Sequence, residues 1–155
     1  MVTRREWLRA ALGGSAAALV TGVMPAFGGE APIAITVYKT PSCGCCAKWV
    51  THLRANGFDV TTRDMDDLSE VKATFGIPTA LRSCHTATVG AYAIEGHVPA
   101  SVIHRMLRER PKIAGLAAPG MPAGSPGMEM PGEPAGHFDV IAFERTGATH
   151  VYAKV

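Results

Sequence analysis

The run Ile33 to Tyr38, IAITVY, is rich in β-branched residues and bounded by Pro32 and Pro41, which predicts a buried strand. The residues that follow change period. Cys46, Trp49, Val50 and Leu53 recur at i, i+3, i+4 and i+7 before an Asn56-Gly57 stop, the pattern of an amphipathic helix. A strand that hands over to a helix within a few residues is the first step of an α/β reading. Phe58 to Arg63 reads as a second strand. Asp67, with Glu70 three residues on, predicts a capping box opening a helix over Leu68 to Phe75, which Gly76 and Pro78 stop. Cys84 to Val89 and Tyr92 to Ile94, hinged at Gly90, predict a hairpin. Pro99 suits the first turn of a helix with an apolar face of Val102, Ile103, Met106 and Leu107, ended by Pro111.

Between Gly115 and Gly136, eleven of 22 residues are Gly or Pro, with Met121, Met128 and Met130 among them, so no regular structure is expected over 115–136. A last hairpin, Phe138 to Glu144 and Thr149 to Val155, turns at Thr146-Gly147. The order strand, helix, strand, helix, hairpin, helix is that of a thioredoxin-like domain. The expectation is therefore a single α/β domain over 29–155, with the Gly/Pro/Met loop and the C-terminal β-hairpin appended. A domain of that length buries a core without disulfide support, so the four cysteines need another explanation.

The formal net charge is +2, and it resides wholly in the first 28 residues, where Arg4, Arg5 and Arg9 face Glu6. The remainder is balanced, which removes support for a nucleic-acid partner. Arg4-Arg5 precedes an apolar, Ala-rich run from Ala10 to Met24 and then Pro25-Ala26-Phe27-Gly28, the layout of a cleaved twin-arginine-type signal peptide over 1–28. A retained anchor is the competing reading, but the run falls short of the roughly 20 apolar residues that span a bilayer. The expected location is the periplasm, with no stable membrane span after cleavage.

Cys43-Gly44-Cys45-Cys46 sits in the predicted turn between the first strand and helix. Thiols there meet unpaired backbone N–H groups and the positive end of the helix dipole, both of which favour thiolate. Cys43 and Cys46 have the C-x-x-C spacing of a redox pair, but Cys45 is foreign to that scheme, and clustered thiolates suit a soft metal. Cys84, at the start of the third strand, is expected to face the cluster across a short gap, with one of the three within easy reach. Three readings follow: a metal centre, a thiol-disulfide catalyst, and two structural disulfides. His85 is a candidate ligand through its adjacency to Cys84, against the plain reading of a half-buried strand histidine. His52, His97, His104, His137 and His150 are expected to be solvated. Met121 and Met128 are candidate copper contacts or adaptable packing residues.

The segments Tyr38-Lys39-Thr40-Pro41-Ser42-Cys43-Gly44-Cys45-Cys46, Ser83-Cys84-His85-Thr86, Ile94-Glu95-Gly96-His97-Val98-Pro99 and Pro119 to Glu129 together resemble the CopG-type periplasmic copper-resistance proteins, a family long catalogued as a domain of unknown function. The resemblance spans essentially all of 29–155, with Met130 and the Pro/Gly residues after it extending the loop. It implies a thioredoxin-like fold and copper bound at Cys43, Cys45 and Cys46, with Cys84 matching the family's later cysteine. The metal expected is Cu(I), several ions being compatible with bridging sulfurs, in a role in copper resistance or homeostasis beside other periplasmic copper-handling proteins. A copper-redox role and a thiol-disulfide oxidoreductase are the enzymatic alternatives.

Overall fold

The computed structural model describes residues 31–132 and 136–155. The expected signal peptide over 1–28 lies outside the described residues. The elements run β1 (Ile33–Lys39), α1 (Gly44–Ala55), β2 (Phe58–Asp64), α2 (Ser69–Thr74), a 3₁₀ turn (Thr79–Leu81), β3 (His85–Val89), β4 (Tyr92–Gly96), α3 (Ala100–Glu109), β5 (Gly115–Ala118), β6 (Asp139–Phe143) and β7 (Thr149–Lys154). The strands form one seven-stranded sheet in the order β2-β1-β3-β4-β5-β6-β7. β1 pairs with β2 and β4 with β5 in parallel, and the other neighbours are antiparallel.

Side chains alternate across the pleat, and the central strands are covered on both faces. On one face Ile35, Val37, Ile94 and Leu116 pack with Trp49, Val50 and Leu53 of α1 and Ile103 and Met106 of α3. On the other, Ala93, Ala117 and Phe143 pack with Ile77 and Leu81, and Phe75 closes over them. Trp49 donates its indole N–H to the Val98 carbonyl at 2.9 Å, fixing α1 against the connection from β4 to α3.

Among the described residues, seven strands and three helices agree with the α/β single domain read from the sequence, with three corrections. The stretch 115–136 is not wholly irregular, because Gly115–Ala118 is a buried strand between β4 and β6. Its small residues read as loop composition, yet they are what this site demands. A Cβ on Gly115 would come within 1.9 Å of the Ala93 carbonyl oxygen and 2.7 Å of the Phe143 ring, so only glycine lets the backbones approach. Secondly, the capping box does not form. Asp67 accepts the Ser69 N–H at 2.8 Å, a local turn two residues on, and α2 opens at Ser69 with Leu68 as its cap. Thirdly, Pro99 is the cap of α3 and not part of its first turn, and Arg110 in the left-handed conformation, one residue before Pro111, is the C-cap.

Gly115→Ala is expected to cost about 2 kcal/mol or more, in the range of core overpacking, because the clash is with backbone and cannot be relieved by a rotamer change. Denaturant unfolding of the variant beside the wild type measures it, and an unchanged midpoint would refute the packing argument.

Candidate metal centre

The site is built at the end of the sheet where β1 stops and β3 starts. Their antiparallel register pairs Lys39 with His85, so the turn after Lys39 and the residues before His85 meet. Cys43 caps α1, and its sulfur accepts the Cys46 backbone N–H at 3.4 Å. Cys45 Sγ lies 3.5 Å from Cys43 Sγ. The sulfurs of Cys43, Cys45, Cys46 and Cys84 all lie within 4.8 Å of one another, so the expectation that only one cysteine of the cluster reaches Cys84 is corrected. In one helical turn, the first residues all fan around the same axis end, and Cys84 enters from the adjacent strand.

Cys43 and Cys46 are joined as a disulfide, and Cys45 and Cys84 are free. Cys46 is fully buried, while Cys43, Cys45 and Cys84 are partly exposed. Burial pushes the Cys84 thiol up to about 11, and the neighbouring Cys45 adds to the shift. A cation is the partner that would reverse this, since thiolates bind metals and thiols do not.

A second donor group shares Cys84: Cys84, His85 and His97 also converge within 4.8 Å. His85 Nδ1 is 3.4 Å and His97 Nε2 3.3 Å from Cys84 Sγ, and the two rings meet edge to face with centroids 5.0 Å apart. His97 donates from Nδ1 to the Pro126 carbonyl at 2.8 Å, which leaves Nε2 unprotonated toward Cys84. Burial drives the His85 pKa down to about 3, so its imidazole is neutral, and its buried Nε2 has no hydrogen-bond partner. His85 Nδ1 and the oriented imidazole of His97, both beside the Cys84 sulfur, form a donor set that fits a soft metal ion.

His97 was expected to be solvated, and it is fully buried. The signal that locates it is Pro126, 29 residues further on, a contact that no local pattern announces. His52 is half-buried and accepts the Ala100 N–H at 3.1 Å. His104, also partly buried, donates to the Asn56 carbonyl at 2.8 Å. His137 and His150 are exposed as expected. Met121 and Met130 are exposed and Met128 is half-buried. The loop that carries them covers the cluster through Ser125, Pro126 and Gly127, all buried. Gly127, at φ +89°, lies so close that a Cβ would sit 2.9 Å from both the Cys45 carbonyl oxygen and the Trp49 amide nitrogen.

With this geometry in place, the comparisons are specific. A solved structure titled "Copper resistance protein copG- Form 1" is 46% identical, with a TM-score of 0.74, covering 80% of this chain and 98% of its own. The chain belongs to the CopG copper-resistance family. A Form 2 structure of the same title is 45% identical over the same shares, also with a TM-score of 0.74. A family model described as "Protein of unknown function, DUF411" matches residues 81–128, the CopG-family stretch that holds Cys84, His85, His97 and Gly127. No curated protein matches the chain. A copper-resistance relationship and a cysteine cluster fit a copper-binding role for this CopG-family chain.

Gly127→Ala is expected to lift the loop from α1, costing about 1–3 kcal/mol through overpacking and left-handed strain. The accompanying sign is faster iodoacetamide labelling of Cys45, followed by mass spectrometry. Unaltered labelling would show that the loop does not shield the cluster.

Proposed function

We propose that this chain is a periplasmic copper-binding protein that holds Cu(I) through the thiolates of Cys43, Cys45, Cys46 and Cys84, with His85 and His97 as further donors, and so contributes to copper resistance. The observation that carries the reading is the convergence of four sulfurs within 4.8 Å, because clustered thiolates select soft Cu(I). Cys84 belongs to both donor groups, which supports more than one ion bridged by its sulfur. The twin-arginine-type segment over 1–28 supports the periplasm, where exchange with other copper-handling proteins would occur. Among the described residues no helix is long and apolar enough to cross a membrane. The strand order β2-β1-β3-β4, with α1 following β1, supports the thioredoxin-like reading of the domain.

Full loading requires the Cys43–Cys46 disulfide to be reduced by an external dithiol, which gives two electrons and two protons and is itself oxidised to a disulfide; the two thiols formed lose their protons on binding metal. Run in reverse, the pair supports a copper-redox role. Two thiols give one electron to each of two Cu(II) ions, release two protons and close the disulfide, leaving two Cu(I) ions beside Cys45, Cys84, His85 and His97.

The C-x-x-C disulfide at the start of α1 favours one second reading, a thiol-disulfide oxidoreductase. That activity needs an attacking thiol open to a protein substrate, whereas Cys43, the N-terminal cysteine of the pair, is only partly exposed and is crowded by the Cys45 sulfur at 3.5 Å. Weak activity in insulin reduction is therefore expected.

Anaerobic titration of the reduced chain with Cu(I) against a chromophoric chelator tests the proposal. The expected result is tight binding of more than one ion, lower capacity in the disulfide form, and loss of capacity in Cys45→Ser with the Cys43–Cys46 pair still able to oxidise. Deletion in the native host is expected to cause copper sensitivity. Tight zinc that Cu(I) fails to displace, or robust disulfide exchange with unchanged copper tolerance, would overturn it.

A further inference from the structure

We propose that Glu95 is a positioning residue for the metal centre, holding the Cys84 sulfur in place through the backbone amide of Ser83; this rests on the copper-binding reading of the same site. Glu95, on β4, is fully buried. Its Oε1 accepts the Ser83 N–H at 2.5 Å and the Lys72 ammonium at 2.6 Å, and its Oε2 accepts the Thr86 hydroxyl at 2.6 Å. Lys72, from α2 and almost fully buried, also donates to Thr86 Oγ1 at 3.0 Å. Such a buried ion pair contributes little to net stability, since an apolar replacement of similar volume is often neutral or stabilising. What this one holds is the piece of chain that carries Cys84.

Ser83 and Cys84 lie between the 3₁₀ turn and β3, outside any ladder, and the Ser83 N–H is satisfied by the Glu95 carboxylate. The next residue along β4, Gly96, makes the approach sterically possible: a Cβ there would be 2.9 Å from Ser83 Oγ and 3.0 Å from Ser83 Cβ. The residue after that, His97, receives the Cys84 sulfur at 3.3 Å. Glu95 anchors, Gly96 admits and His97 meets the thiol, so three consecutive residues set where Cys84 stands relative to the sulfurs at the start of α1. Groups that orient metal ligands from behind typically carry 10–100-fold in metal affinity.

The test compares two full-length double variants that both lack the ion pair, K72M/E95L and K72M/E95Q. The glutamine keeps one oxygen for the Ser83 N–H, with its amide donating to the Thr86 hydroxyl; the leucine keeps none. Two readouts are taken, the iodoacetamide labelling rate of Cys84 in the reduced, metal-free protein and the Cu(I) affinity by chelator competition. K72M/E95L is expected to label about tenfold faster and to bind about tenfold more weakly, with K72M/E95Q restored to within about twofold of wild type on both. Equal behaviour of the two variants, changed or unchanged, overturns the assignment. Should K72M/E95L not fold, amide hydrogen exchange of wild-type Ser83 decides: strong protection is expected, and rapid exchange overturns the anchor. A wild type that binds no copper while the labelling contrast persists would instead sink the copper reading and leave the anchor standing.

Discussion

The antiparallel register that sets Lys39 opposite His85 is the constraint on which the site depends. β1 delivers its chain into α1 at the same sheet end where β3 begins, so a helix N-terminus carrying three sulfurs and a strand start carrying a fourth share one small volume. Slip that register by one residue and every side chain of β3 changes face: His85 would leave its place between Trp49 and His97, and Ala87 and Val89 would leave the core. The hydrophobic pattern of β3 thus fixes the placement of the candidate metal centre.

Around this junction the molecule separates two tasks. The apolar face under α1 and α3 provides cohesion. The opposite side of the site is polar and buried, with Lys72, Thr86 and Glu95 in one closed hydrogen-bonded set. Burying that set costs desolvation, and its members are satisfied by one another and by a single backbone amide. The loop ending in Pro126-Gly127 completes the enclosure, contributing a carbonyl that orients His97 and a glycine that seats on the α1 backbone.

Much of this was legible in the sequence because it is local. The period change after Tyr38 located α1, the position of Cys43-Gly44-Cys45-Cys46 put the thiols at a helix start, and Cys84 followed from the strand order. Family resemblance in four separated segments pointed to copper. What stayed hidden depends on contacts distant in sequence. His97 carries no mark of burial in its neighbours, and its role rests on the Pro126 carbonyl. Gly115-Leu116-Ala117-Ala118 looks like loop because its need for small residues is imposed by Ala93 and Phe143. Glu95 and Lys72 come together from α2 and β4, and no periodicity pairs an exposed-looking helix lysine with a strand glutamate. The Cys43–Cys46 pair, by contrast, was legible as a C-x-x-C spacing, since at the first turn of α1 an i, i+3 separation brings two side chains to the same side.

Trp49 gives the molecule an optical property of its own. Its ring centroid is 4.4 Å from that of His85, its N–H is tethered to Val98, and the second of the two tryptophans, Trp7, falls within the expected signal peptide. With that segment removed, the tryptophan emission of the protein comes from one tethered indole stacked near a candidate ligand. Events at Cys84 and His85 then register as quenching or a spectral shift of a single tryptophan, with no label attached.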